Sequence, residues 1–188
     1  NAKVAAWTTT PWTLPGNVGL AVGADIAYAV VQDGSAHYLE AEDGGDIKGK
    51  DLVGLQYQPL FDYYSKDVNL KNRENGWKVY GADFVTTEDG TGIVHIAPAF
   101  GTDDMLLGKK ENLPFVQHVK MDGTFKLEVT DFAGVDLKPR AKDKPEEIRE
   151  ADLTVVKNLE QKGLVFSYEK YEHSYPHCWR CDTPLLNY

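Results

Sequence analysis

The sequence predicts an α+β domain that is rich in antiparallel sheet and carries a few peripheral helices. Two observations predict it. Asp33-Gly34, Asp89-Gly90 and Asp122-Gly123 each sit between β-rich runs, and an Asp-Gly pair in that setting is a strong hairpin signal because tight hairpin turns need residues tolerant of positive φ. Against these, one stretch has a clear helical period: Ile148, Ala151, Val155, Val156 and Leu159 share a face, with Pro145 at a plausible first position and Gly163 placed to close the end. At 188 residues the chain is about one domain long and can bury a real core.

Taken in order, strands are expected over residues 4–9, 19–22, 28–32, 37–41, 77–85, 92–96, 115–119, 124–127 and 164–168, each a short run of apolar or β-branched residues bounded by turn formers. A shorter helix is expected from Thr102, a good N-cap type, to about Glu111. Residues 44–75 read as irregular, with Tyr57, Phe61, Tyr63 and Tyr64 clustered there. Such aromatics can stack on a base, but anchoring a long loop to the core is their commoner use. There is no internal repeat or low-complexity tract. The first residues lead almost at once into strand-like sequence and residues 185–188 stop inside an apolar run, so a piece of a longer protein is expected.

Composition narrows the function. A hydrophobic fraction of 42% with 26% charged residues is that of a soluble globular protein. No apolar run approaches the roughly 20 residues of a spanning helix, and the basic-then-apolar order of a signal peptide is missing, so no membrane partner and a cytoplasmic location are the default expectations. The formal net charge of −9 argues against blanket neutralisation of phosphates, leaving only local contact with a nucleic acid. The two cysteines, Cys178 and Cys181, form a CxxC pair, too few for a disulfide scaffold and suggestive of metal or redox chemistry.

Three stretches carry chemistry. AWTTTPWTLPGN, residues 6–17, has four threonines where a strand built only to pack would have Val or Ile. On a strand Thr8 and Thr10 would share a face and Thr9 would point away, before Pro11 stops the ladder. Their hydroxyls can hold a water, a ribose hydroxyl or a carbonyl oxygen, or they can simply be β-favouring residues on an edge strand. In GTGIVHIAPAFGTDD, residues 90–104, strand alternation puts His95 on the same side as Ile93; a histidine so placed is, taken alone, more often a satisfied core residue. Pro98 ends that strand, Gly101 permits a tight path, and Asp103 and Asp104 open a helix at its positive end. Capping suffices for Asp103, whereas Asp104, nine residues past His95, can reach the same pocket and suits a small cation such as an ammonium group. The CxxC reads better as zinc than as a thioredoxin-like motif, because Pro184 follows too closely for a helix. The pair is half of a tetrahedral site, which His173 or His177 could complete, although a partly ordered, metal-free tail is the commoner reading.

With these motifs in this order, the chain resembles the editing (CP1) domain inserted in class I isoleucyl-tRNA synthetases, and HSYPHCWRCDTP resembles the segment by which that insertion returns to the synthetase body. Related valyl and leucyl enzymes usually have TTRP where this chain has Thr8-Thr9-Thr10-Pro11, so Thr10 and His95 favour the isoleucyl type over those two. The resemblance implies a barrel-like core shared by the valyl, isoleucyl and leucyl editing domains, with residues 1–175 as the editing domain and 176–188 returning to the rest of the synthetase chain. It implies hydrolysis of valine from tRNA(Ile), and in the family also of valyl-adenylate, with the 3′ end of tRNA(Ile) and the valine moiety as partners. By resemblance Asp104 holds the substrate's ammonium, His95 limits side-chain size, and Thr8, Thr9 and Thr10 meet the terminal adenosine and the ester, with Trp7, Thr13 and Asn17 nearby. It further implies that editing needs no cofactor and that any zinc belongs to the full-length enzyme. HIGH and KMSKS motifs are absent from the sequence, so the chain itself is not expected to charge tRNA. A reading of a different class is a zinc-dependent RNA-binding module without catalysis, resting on the CxxC pair and the aromatics.

Overall fold

The structure is a computed structural model that describes residues 2–137, 150–169, 171, 178–180 and 185. Its strands are β1 Lys3–Val4, β2 Gly19–Val22, β3 Ala27–Asp33, β4 Ala36–Ala41, β5 Ile47–Lys48, β6 Lys78–Gly81 and β7 Ile93–Ile96. They form two sheets, ordered β1-β4-β3-β5 and β6-β2-β7. The hairpin expected at Asp33-Gly34 joins β3 to β4, from Tyr28↔Ala41 to Asp33↔Ala36, with Gly34 at φ 57°. The β2–β7 and β3–β5 ladders are also antiparallel, while β1–β4 and β2–β6 are parallel.

Residues 3–7 join the two sheets. Ala5 N–H donates to Leu39 C=O (3.1 Å) in the first sheet, and two residues later Trp7 N–H donates to Ile93 C=O (3.0 Å) in the second. Ala41 N–H, donating to Thr91 C=O (2.8 Å), adds a further stitch. The two sheets are thereby stitched edge to edge around a shared core that buries Leu20, Val22, Tyr28, Val79 and Ile93. Helix α1, Gly49–Leu52, touches β2, β5 and β6 and adds Leu52 to that core. The architecture is therefore barrel-like, although among the described residues the sheet does not close.

The opposite face of the second sheet presents Val18, Ala21 and Ile96 to Leu107 of α2, Thr102–Lys110, and to Leu113 and Val116. Leu20 and Val22 on one side with Ala21 on the other is the period-two alternation of a strand buried on both faces. Helix α3, Glu150–Gln161, packs Ala151, Val155 and Leu159 against Trp12, Leu14, Phe61, Phe125 and Phe132. Gly163 at φ 63° ends it, and Leu164 N–H returns to Leu159 C=O (2.9 Å). The expected beginning of that helix, at Pro145 and Ile148, lies outside the described residues.

Several expected strands take other forms. Residues 115–119 and 124–127 make only isolated pairs, Val119↔Phe125 and Thr124↔Asp136; Val116, Val119 and Phe125 enter the core one at a time, which gives a strand's composition without its ladder. Residues 164–168 form no strand, and β6 keeps only the first half of its expected span. Asp89-Gly90 turns the chain without making a hairpin, because β2 lies between β6 and β7. The stretch from 44 to 75 contains β5, α1 and a short 3-10 turn, and its aromatics anchor it, Phe61 buried with Tyr63 and Tyr64 packed against the same core.

One side chain bridges the two sheets from within. The fully buried Tyr28 hydroxyl accepts from Gly23 N–H (3.1 Å) and donates to Gly92 C=O (2.8 Å) just ahead of β7. Tyr28→Phe keeps the ring and strands two buried backbone groups, so urea unfolding is expected to register a loss of about 2–4 kcal/mol. A change near zero would mean that the bridge carries no stability.

Candidate functional site

The site arises where the chain leaves the flank of β7. Backbone pairing follows β7 as far as Trp7, which bridges Val94. The chain then passes through Thr8–Thr10 into the 3-10 turn Pro11–Gly16, and Val18 N–H reaches Ile96 C=O (2.9 Å) from the β2 side of β7. Residues 8–18 therefore stride over the C-terminal end of β7 from one edge to the other. Pro11 cannot donate to a ladder, and Thr10 N–H is taken by Thr8 Oγ1 (3.1 Å) in a local turn. The expected alternation that would turn Thr9 away therefore does not operate. Thr8, Thr9 and Thr10 all line one cavity of about 230 Å³, together with Trp7, Thr13, Val94, His95, Ala97, Phe100, Gly101 and Asp104.

His95 is buried, and its Nε2 lies 2.8 Å from Thr13 Oγ1. That hydroxyl donates to Thr10 C=O (2.8 Å). It has one proton and a carbonyl can only accept, so the hydroxyl oxygen accepts from His95 Nε2–H. Nδ1 is then the bare nitrogen, buried and without a partner among the described residues. Burial pushes the His95 pKa down to about 4, so at neutral pH this ring is an uncharged, oriented wall.

Asp104 lies in the first turn of α2, and its Oδ1 accepts from Ala97 N–H (2.7 Å) at the end of β7. Burial raises its pKa above the usual carboxylate value; hydrogen bonds from the Ala97 and Asp104 backbones oppose the rise, and the nearby Asp103 charge adds to it. Among the described residues no cationic side chain pairs with it. A half-buried carboxylate without a counter-ion gains from any cation that enters. Gly101 makes the room: its φ of −129° suits any residue, but an added Cβ would collide with the Asp104 carboxylate.

Trp7, Thr8, Thr9, Thr10, Thr13, His95 and Asp104 are thus brought together, while Asn17 is not. Its Oδ1 accepts from Tyr57 O–H (2.5 Å), its Nδ2 donates to Gly19 C=O (2.8 Å), and its own C=O accepts from the Trp77 indole (3.1 Å). Asn17 fastens the far end of the loop and contributes nothing to the lining. Conversely, Phe100 and the Ala97 amide belong to the cavity and carry no sequence signal beyond standing next to Pro98 and Gly101. Of the CxxC pair, Cys178 is described with a free thiol, and Cys181, His173 and His177 lie outside the described residues. Among the described residues no three His, Cys, Asp or Glu side chains cluster as metal ligands, and no helix is long and apolar enough to cross a membrane.

No protein-family model matches the chain. It is 43% identical over 206 residues to the isoleucine–tRNA ligase of Treponema denticola, covering 96% of this chain and 18% of that protein. It is 40% identical over 199 residues to the isoleucine–tRNA ligase of Clostridium acetobutylicum, covering 100% and 18%, and 40% identical over 200 residues to that of Rickettsia bellii, covering 98% and 16%. The chain therefore spans less than a fifth of the length of these relatives. Among solved structures it resembles the crystal structure of GlLeuRS-CP1 with a TM-score of 0.59 at 14% identity, covering 90% of this chain and 84% of that one, a likeness of fold.

Two buried histidines give stability a pH dependence. Burial also holds His118 down to about 4, and both rings are neutral when folded. Unfolding returns each to an ordinary value near 6.5, so the unfolded state binds more protons between pH 6.5 and about 4, and stability falls as pH falls through that window. Urea unfolding at pH 7 and pH 4.5 is expected to differ by several kcal/mol, about 3 per histidine at most. Equal stability at both pH values would contradict the burial of neutral rings.

Proposed function

The chain belongs to the isoleucine–tRNA ligase family, and from that premise we propose that it is the family's hydrolytic proofreading unit, releasing valine wrongly esterified to tRNA(Ile). The need for such a unit is physical. A synthesis pocket shaped for isoleucine rejects valine poorly, since one missing methylene is worth about 1–3 kcal/mol, a rule for which isoleucyl enzymes are themselves the familiar illustration. A second, smaller cavity can hydrolyse what fits and exclude what does not.

What carries the reading is that Asp104, His95 and Thr8 to Thr10 line a single cavity. Asp104 takes the α-ammonium of the bound aminoacyl ester, relieving the cost of a buried anion. The His95 ring, held by Thr13, stands against the side chain; it admits valine and forces the larger isoleucine into overlap, a misfit worth about 1–3 kcal/mol. The threonine hydroxyls receive the ester and the terminal ribose. Water adds to the ester carbonyl carbon, the bond to the ribose oxygen breaks, that oxygen takes up a proton, and free valine leaves. An ester between an amino acid and a ribose is already activated, so positioning a water is enough and no covalent enzyme intermediate is invoked. Thr9, whose hydroxyl makes no hydrogen bond to the described residues, is available for that task.

The same reading assigns residues 1–175 to editing and 176–188 to the return into the ligase body, where Cys178 and Cys181 supply half of a zinc site. The cavity itself offers a metal only one carboxylate and one imidazole, too few for a ligand set, so editing is assigned to protein groups alone. The 3′ end of tRNA(Ile) is the partner, held by parts of the ligase beyond this chain, which reconciles the net charge of −9 with a nucleic-acid substrate. A cytoplasmic setting follows from that role.

Deacylation assays without ATP, on the full-length ligase that carries this chain, test the reading. Valyl-tRNA(Ile) is expected to lose its amino acid, isoleucyl-tRNA(Ile) to keep it, and a chelator to leave the rate unchanged; equal rates on the two esters, or none on either, would refute proofreading. Asp104→Asn keeps the oxygen facing Ala97 N–H and removes only the charge, so a rate loss of about 100-fold is expected, and wild-type speed would refute the ammonium clamp. His95→Ala is expected to attack isoleucyl-tRNA(Ile), and unchanged discrimination would refute the sieve.

A further inference from the structure

His118 lies outside the cavity and has no part in the chemistry just described, yet it is fully buried and touches two of the cavity's walls from behind. Its Nε2 is 3.0 Å from Trp12 C=O. Because a carbonyl only accepts, Nε2 carries the proton and donates it, pinning the 3-10 turn one residue before Thr13. The same ring meets Phe100, a lining residue, in a T-shaped pair at 4.6 Å between centroids and 70°. Phe125 stacks on it at 5.6 Å and 18°, holding the ring in place. At the turn's other end Gly16 is closed down onto the ring, where an added Cβ would collide with Nδ1.

We propose that His118 is a positioning residue for selectivity: one imidazole backs both the Thr13–His95 wall and the Phe100 wall, and so fixes the width of the cavity. The claim rests on the proofreading reading. The turn carrying Thr13 is a loop, whose position is set by the groups behind it rather than by a ladder. If the Trp12 carbonyl is released, Thr13 moves and the His95 ring that it orients turns with it on a fixed β7 backbone, and a small displacement is enough to admit an extra methylene.

The test compares valyl- and isoleucyl-tRNA(Ile) hydrolysis by His118→Phe, which fills the space without a donor, and by His118→Gln, whose terminal N–H can stand in for Nε2–H. For His118→Phe the preference for the valyl ester is expected to fall about tenfold, chiefly through faster attack on the isoleucyl ester. His118→Gln is expected to restore it largely. A role in stability alone would slow both esters equally, and that result, or an unchanged preference in folded His118→Phe, would overturn the proposal. Gly16→Ala pushes the same ring from the Nδ1 side; it is expected to lose preference too, and serves if His118→Phe does not fold. A wild-type full-length ligase that leaves valyl-tRNA(Ile) intact would sink the proofreading reading itself, whereas selective wild type with insensitive variants would sink only the part given to His118.

Discussion

The structure depends on a short relay of hydrogen bonds over the end of β7: His95 Nε2–H to Thr13 Oγ1, and Thr13 Oγ1–H to Thr10 C=O. Residues 8–18 leave one edge of the strand and return at the other, and a loop of that kind encloses a cavity only if something in its middle is tied to what lies below. Thr13 is that tie. One hydroxyl proton and one carbonyl fix the tautomer of the ring, its orientation and the height of the loop at once. Asn17, Tyr57 and Trp77 then secure the far end.

The two titratable groups of the cavity are set up for opposite tasks by the same burial. Low dielectric disfavours charge, so the imidazole is held neutral and presents bulk, while the carboxylate is held at a cost that an incoming ammonium can offset. The Ala97 N–H keeps the carboxylate aimed, and the missing side chain of Gly101 leaves it room. On the proposed reading, selection by size and recognition by charge come from residues on β7 and α2, elements that the second sheet and its Leu107 contact hold in place.

The fold class was legible in the sequence, and most of the pairing of its strands was not. Residue type alone did not single out Thr8 to Thr10, His95 and Asp104, since edge threonines, a core histidine and a carboxylate at a helix start each have a structural use; the order of the motifs that carry them did, and the structure brings them to one cavity. The hairpin at Asp33-Gly34, α2 and the Gly163 stop on α3 were legible from turn and cap chemistry. The parallel pairings of β1 with β4 and of β2 with β6 were not, since strand direction is decided by partners distant in sequence. Nor was the role of Asn17, whose amide could serve a ligand or a loop equally well until Tyr57, forty residues away, took it. His118 carries no sequence signal of its own, because what it backs is visible only once the 3-10 turn lies on top of it.

The central claim is that Asp104 and His95 act on one bound amino acid. The measurement closest to it is the structure of the chain with a hydrolysis-resistant amide analogue of 3′-valyl-adenosine, paired with its affinity relative to the isoleucyl analogue. The account predicts the ammonium hydrogen-bonded to the Asp104 carboxylate, the isopropyl group against the His95 ring, and isoleucyl binding weaker by about tenfold or more. An analogue seated elsewhere, or equal affinity for the two, would contradict it.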